Sequence, residues 1–513
     1  MFAQVATVAF AGIEAKRVDV QVQISPGLPA FAVVGLPDKA VAESRERVRA
    51  ALHAVGLALP AKHITVNLAP ADMPKEGSHY DLPIVLAMMA CMGAMPFDQL
   101  KGYCVIGELA LDGAISMVPG GLPAAIGANV QGLGLICPFE CGSEAAWASE
   151  DMDILAPRHL LELINHFKGT QILSPPQAVL EEVRADLPDL CDVRGQESAR
   201  RALEVAAAGG HNLLMTGPPG SGKSMLAARL PSILPALSPA EMLEVSMIRS
   251  LAGELAGGQL GRQRPFRSPH HSASMAALVG GGARPRPGEV ALAHMGVLFL
   301  DELPEFSVQV LDSLRQPIET GEVVIARANH RTSYPSRIQL VAAMNPCKCG
   351  RAFEPGFACS KGAHCADRYQ SRISGPLLDR FDLQIEVPAV SPADLMMSGE
   401  RGESESSQAV RSRVSAARER QGDRFKRMGL ENVRTNNELN GKALDECTRP
   451  DEEGLRLLRD ACEKLRLTAR GFHRTLKVAR TLADLDDRDD VARIHIAEAL
   501  SYRGEAMRKK ILV

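Results

Sequence analysis

The sequence predicts a multidomain α/β protein: an N-terminal α+β unit, a central domain on a parallel sheet, and a helical C-terminal domain. Three observations predict it. The octapeptide Gly217, Pro218, Pro219, Gly220, Ser221, Gly222, Lys223, Ser224 fits G-x-x-x-x-G-K-[ST]. It lies between the apolar stretch Asn212 to Thr216, a buried strand by its pattern, and the helix-forming Met225 to Leu230. Further on, Val297-Leu-Phe-Leu300 is a second short apolar run and ends in the two carboxylates Asp301 and Glu302. At 513 residues the chain exceeds what one core can hold.

Composition sets the class. Hydrophobic residues make up 46% and aromatics 4%, so the cores are aliphatic. A net charge of -3 is no whole-protein signature of nucleic-acid binding, and any such contact has to come from a local basic surface such as a pore. No apolar run approaches the ~20 residues needed to span a membrane. The start, Met1-Phe-Ala-Gln-Val5, lacks the features of a signal peptide. Eleven cysteines without an export signal point to thiols and a metal site in a cytoplasmic protein.

Residues 1–165 form the first unit. Strands are expected at Val18–Ile24, Phe31–Gly35, His63–Asn67, Tyr103–Leu109 and Gly134–Cys137, with helices at Ala40–Ala54 and Leu82–Met92. Pro74-Lys75-Glu76-Gly77, Gly107-Glu108 to Gly113, and Val118-Pro-Gly-Gly-Leu122 resemble the proteolytic domain of Lon-type proteases. In those proteases a lysine activates a serine. Here His79 stands at the serine position, Ser78 one place early, and Ala125 at the lysine position. The unit is therefore expected to be a non-catalytic relative.

A linker over 166–188 carries Ser174-Pro-Pro-Gln177. The central domain spans 189–394. Val193, Gly195 and Gln196 precede a helix from Glu197 to Ala208, and by resemblance to AAA+ ATPases they lie by the adenine. In the phosphate loop, glycines let backbone N–H groups close around phosphate oxygens. Lys223 is expected to reach the β- and γ-phosphates of ATP, and Ser224 with Asp301 to hold Mg²⁺. Glu302 is expected to orient and activate the attacking water. Gln339 to Met344 is another buried strand, ending in Asn345, the first sensor by the same resemblance. Ser374 to Asp382 has the form seen in magnesium-chelatase motor subunits and MCM helicases, where the equivalent of Arg380 reaches a neighbour's γ-phosphate. That role requires a ring, expected to be a homo-hexamer.

The helical domain, 395–513, includes Leu467 to Leu485, which resembles a lid helix with a second sensor. Arg470 is the first choice and Arg474 the next; a packed helix with solvated arginines is the competing reading. Arg264 to Ser272 and Gly280 to Gly288 read as a flexible basic loop. Val323–Arg327 and Thr332–Pro335 read as a hairpin turning at 328–331. Both resemble pore inserts of the MCM and chelatase branch, which makes Arg284, Arg286, Arg327 and Arg331 candidates for DNA contact, weakening with salt. Cys347, Cys349, Cys359 and Cys365, within 347–365, supply four thiolates for a structural, tetrahedral Zn²⁺ site, with His364 as a competing ligand.

Taken together, the Lon-like unit, the phosphate loop, Phe266-Arg-Ser-Pro-His-His271, Asn345-Pro-Cys-Lys-Cys-Gly350 and Leu377-Leu-Asp-Arg-Phe-Asp382 resemble the YifB/ComM group of magnesium-chelatase-like AAA+ proteins. The resemblance implies an ATP-driven ring with DNA in its central pore, promoting branch migration in natural transformation alongside recombination proteins. A chelatase-type motor acting on a protein partner and an ATP-dependent protease are the alternatives.

Overall fold

The computed structural model describes residues 1–181, 187–282, 286–327, 330–350, 364–390, 405–465 and 467–503, with the side chains of 256, 327, 330 and 465 excepted. The N-terminal unit starts with two long strands, β1 (Phe2–Ala11) and β2 (Glu14–Ser25), paired antiparallel from Phe2 opposite Gln23 to Ala11 opposite Glu14. With β3 (Ala30–Val34), β4 (His63–Ala69), β5 (Tyr103–Val105), β8 (Gly134–Ile136) and β9 (Ile154–Leu155) they form a sheet in the order β3-β4-β2-β1-β5-β8-β9. A small ribbon of β6 (Glu108–Leu109) and β7 (Ile115–Ser116) stands beside it. The helix Asp81–Cys91 is apolar and buried nearly all round, and it covers β1 and β2.

Three details differ from the sequence reading. The single strand expected at Tyr103–Leu109 is two, β5 in the large sheet and β6 in the separate ribbon. β1 was absent from it, because its residues are buried on both faces and give no clean alternation. The single helix expected at 40–54 is two, Lys39–Ala42 and Ser44–Ala54, the first capped by Asp38 accepting from the Val41 N–H at 2.8 Å.

In the central domain β10 (Leu213–Thr216), β11 (Phe266–Arg267), β14 (Val297–Leu300), β17 (Gln339–Met344) and β18 (Leu383–Glu386) make a fully parallel sheet, ordered β11-β14-β17-β10-β18. β14 and β17 are buried at every position, as their unbroken apolar runs require. Thr216 pairs with Met344 and Leu300 with Ala342, so three strands end side by side. The basic loop expected over 264–288 is largely ordered framework. β11 lies on the sheet edge with Phe266 stacked on Phe299, and β12 (Gly280–Gly281) pairs with β13 (Arg286–Pro287). Arg264 is buried, donating to the Pro235 and Met295 carbonyls and to Glu241, and Arg267 clamps Glu254 and Glu289. The hairpin is β15 (Glu322–Arg327) and β16 (His330–Pro335), with Arg327 opposite His330.

The C-terminal helices Ser407–Arg427 and Ala469–Leu485 pack on the central domain. Val410, Val414, Leu476, Ala479 and Leu482 share one core with Leu203 and Ala206 of the helix Glu197–Gly209 and with β10. The N-terminal unit is packed on the central domain too: Leu122 shares a cluster with Met242 and Val245 of the helix Pro239–Ala252, and Ile13, in the β1–β2 turn, packs against the cluster of Ile248, Leu292 and Tyr334.

Candidate nucleotide-binding site

Three loops meet at the carboxyl ends of β10, β14 and β17, where a parallel sheet presents ligand sites. The phosphate loop, 217–222, leaves β10 and enters the helix Lys223–Ala228. Gly217 passes so close to the residue that follows β18 that a Cβ there would lie 2.1 Å from the Val387 carbonyl oxygen, so glycine is required. Gln196 ties the loop from outside, its Nε2 donating to the Ser221 carbonyl at 2.5 Å and to Pro388 at 3.2 Å. Val193 is fully buried below, and Gly195 has φ +65°.

The Lys223 ammonium donates to the carbonyls of Gly217 at 2.9 Å and Pro218 at 2.8 Å, and to Ser221 Oγ at 3.2 Å. It also lies 3.4 Å from Asn345 Oδ1, at the end of β17. Burial lowers its pKa, and the nearby Asp301 carboxylate opposes that. Ser224 Oγ donates to Asp301 Oδ2 at 2.6 Å. A hydroxyl and a carboxylate in contact at the foot of a phosphate loop are the oxygen donors that Mg²⁺ takes. Asp301 Oδ1 accepts from the Glu302 N–H at 2.8 Å, and Glu302 sits in the left-handed region at φ +52°. Its carboxylate lies 3.5 Å from His271 Nδ1, a neighbour the sequence reading did not assign a role. Lys223, Ser224, Asp301, Glu302 and Asn345 are thus brought together.

Arg380 is elsewhere. It lies just before β18, where the Asn212 side chain, at the start of β10, donates to its carbonyl at 2.9 Å. The whole length of β10 therefore separates it from the phosphate loop. Its guanidinium pairs with Glu319 rather than with Asp379 or Asp382, and its Nε has no hydrogen-bond partner among the described residues. Arg470 is exposed and lines the same cavity as Arg380, Arg474 and Lys477, on the edge away from this chain's phosphate loop. Arg474 approaches Asp382 at 3.6 Å, and burial lowers its pKa.

The sulfurs of Cys347, Cys349 and Cys365 all lie within 4.8 Å of one another. Cys359 falls outside the described residues. The cysteine loop touches the phosphate loop: a Cβ on Gly350, at φ +79°, would lie 2.6 Å from the Pro219 ring. Arg286 on β13 and Arg331 on β16 are exposed; Arg284 and the side chain of Arg327 lie outside the described residues. In the N-terminal unit Ser78 Oγ donates to Glu108, while the ring of His79 is on the Val8 carbonyl at 2.9 Å, and burial lowers its pKa to about 4. Lys75 Nζ is held by the Pro70 and Met73 carbonyls. No helix among the described residues is long and apolar enough to cross a membrane.

Comparison with known families gives matches to all three parts of the chain. The family "Magnesium chelatase, subunit ChlI" matches residues 189–395, "Subunit ChlI of Mg-chelatase" matches 20–141, and "Magnesium chelatase, subunit ChlI C-terminal" matches 404–503. An uncharacterized protein YifB from Salmonella typhimurium is 45% identical over 497 residues, covering 97% of this chain and 96% of that one. The competence protein ComM of Haemophilus influenzae is 43% identical over 497 residues, covering 96% and 95%. The magnesium-chelatase 38 kDa subunit of Rhodobacter capsulatus is 27% identical over 218 residues, covering 39% and 55%.

Proposed function

The chain belongs to the YifB/ComM family of magnesium-chelatase-like AAA+ proteins, and on that premise we propose that it is an ATP-hydrolysing ring motor that moves on DNA. The observation that carries this is the split of the site: Lys223, Ser224, Asp301 and Asn345 gather at one end of β10, and Arg380 at the other. A phosphoryl-transfer site needs a cation on the developing γ-phosphate charge. Arg380 can supply it only to an adjacent copy, which makes a ring, most simply a homo-hexamer, the working form.

In that form Lys223 exchanges its loop carbonyls for the β- and γ-phosphates of ATP, while Ser224 and Asp301 hold Mg²⁺. The ion neutralises phosphate charge when bound. Glu302 orients the attacking water, and Asn345 aligns it. Arg470 is assigned to the same neighbouring nucleotide as Arg380. Val193, Gly195 and Gln196 flank the adenine side, Gln196 through its hold on Ser221.

Arg284, Arg286, Arg327 and Arg331 are assigned to the DNA backbone in the pore. The work proposed is branch migration of DNA joints in natural transformation and recombination, which the competence name of one relative supports. The three gathered thiolates support a structural Zn²⁺ beside the phosphate loop. The N-terminal unit is taken as a non-catalytic Lon-like module. The matches to chelatase families along all three parts favour a second reading, a motor that remodels a protein partner.

The separating measurement is ATP turnover and sedimentation of the purified protein with forked DNA. Turnover should rise and the protein should sediment as a ring when ATP and DNA are both present. A lone subunit whose turnover ignores DNA would overturn the proposal.

A further inference from the structure

β1 and β2 are joined by two residues, Gly12 and Ile13, since Ala11 pairs with Glu14. Glycine at the first place, with φ +68°, is what a tight hairpin takes. Isoleucine at the second is not, because turn tips on a surface are ordinarily polar and in water. Here the tip is covered. A Cβ on Gly12 would lie 2.1 Å from the Ser333 carbonyl oxygen, so the turn lies directly on the backbone of β16. Ile13 packs against the cluster of Ile248, Leu292 and Tyr334. A second part of the N-terminal unit faces the same tyrosine: burial, and after it the Glu76 carboxylate, push the Tyr334 phenol up to about 12.

The β15–β16 hairpin depends on such contacts, because two strands by themselves are marginal in water. Its residues alternate: Val323, Thr332 and Tyr334 are buried, while Ala326 and Arg331 are exposed. The buried face has two supports. Val323 belongs to the core of the central domain with Leu278, Phe306 and Leu340. Tyr334, opposite Val323, belongs to the cluster that Ile13 covers, and Ile325 packs on both. One support is thus part of the central domain. The other is the end of the ten- and twelve-residue strands of the N-terminal unit.

The hairpin lies in the chain between β14 and β17, the strands that end in Asp301 and Asn345. DNA changes the rate of hydrolysis only if its contact differs between states of that site, and a contact on a yielding ribbon does not. Resting on the reading of Arg331 as a DNA contact, we infer that Gly12 and Ile13 are positioning residues: the β1–β2 turn is a brace that fixes the pore hairpin. The N-terminal unit serves the motor through that turn. With the brace in place, load on Arg331 is passed to β17 and β14. Without it the hairpin rocks on its central-domain support alone, and the nucleotide site no longer responds to DNA.

The test is steady-state ATP turnover of the full chain, without DNA and with saturating forked DNA, for the wild type, Ile13→Ser, Ile13→Val and Gly12→Ala, alongside thermal unfolding of each. Ile13→Ser removes the apolar contact, and Gly12→Ala drives the turn off the Ser333 carbonyl. Both should keep the DNA-free turnover and the KM for ATP, while the ratio of stimulated to basal turnover falls roughly fivefold or more. Ile13→Val keeps a branched apolar group at the tip and should retain the wild-type ratio. Ile13→Ser and Gly12→Ala act on the brace in different ways, so either one decides the matter if the other folds poorly. A wild-type ratio in a folded Ile13→Ser or Gly12→Ala variant would overturn the inference. So would an equal loss of turnover with and without DNA, which marks a purely structural role. A wild type whose own turnover ignores DNA removes the reading beneath it instead.

Discussion

The carboxyl edge of the central sheet and its amino edge are finished to different degrees. At the carboxyl edge the polar groups satisfy one another inside the protomer: Lys223 on its loop carbonyls, Ser224 on Asp301, and Gln196 on Ser221. At the amino edge Arg337, Arg380, Arg470, Arg474 and Lys477 line a cavity of about 580 Å³, with Glu319 and Asp382 among the few carboxylates facing them. Burial lowers the pKa of both Arg474 and Lys477 there, the Asp382 carboxylate opposes it, and neighbouring cations add to it: Arg380 and Arg470 at Arg474, and Arg474 at Lys477. Cations crowded beyond what their own acids neutralise are a surface prepared for an anion brought from outside. On the proposed function, one edge is a site for substrate and the other is half of a site completed by an adjacent copy.

The largest expected effect tests that division directly. Arg380→Ala should bind ATP and assemble, yet hydrolyse ~10³-fold more slowly, because a trans arginine contributes on that scale. Lys223→Ala should lose nucleotide binding. Mixed together, the two inactive variants should regain a fraction of wild-type turnover, since some seams then join an intact phosphate loop to an intact Arg380. Absence of recovery at every mixing ratio would break the comparison.

How much of this could be read from the sequence follows from the same division. The carboxyl edge was legible because phosphate chemistry demands contiguous residues at fixed spacing, as in Gly217–Ser224 and Asp301–Glu302. The amino edge was legible only as a motif. That Arg380 rests on Glu319, or that Arg470 shares its cavity, depends on contacts between residues far apart in the chain. Arg264 and Arg267 misled for the converse reason: a glycine- and arginine-rich stretch reads as loop, yet Glu241, Glu254 and Glu289 turn those arginines into framework. β1 carries no strand signature because a central strand covered on both faces lacks the alternation that marks strands.

A smaller effect asks whether the division stops at the sheet or extends to the N-terminal unit. Glu144 is buried where that unit meets the helix Pro239–Ala252. Burial raises its pKa to about 7, opposed by hydrogen bonds from Ser250, Cys141 and the Leu122 and Gly121 backbone. A carboxyl raised from its ordinary 4.5 contributes stability that is complete below about pH 4.5 and lost as pH rises through about 7. The change corresponds to ~3 kcal/mol. Urea unfolding of wild type and Glu144→Gln between pH 5 and 8 should therefore give a difference that moves steadily in favour of the variant as pH rises. A flat difference would mean that the junction holds no buried acid and that the N-terminal unit is coupled to the motor by apolar contact alone.

The smallest effect bears on what Arg380 does while it waits. Glu319 is largely exposed and Arg380 largely buried, and a pair of that kind is worth at most about 1 kcal/mol. If the pair is a resting tether, Arg380 has to leave it before reaching the neighbouring nucleotide, so the tether opposes assembly by the same amount. Glu319→Gln should then shift the protein concentration for half-maximal turnover downward by about fivefold or less, with unfolding stability nearly unchanged. An ion pair that served only the fold would give the reverse: a small loss of stability and an unmoved concentration curve, leaving the cationic cavity without its assigned partner.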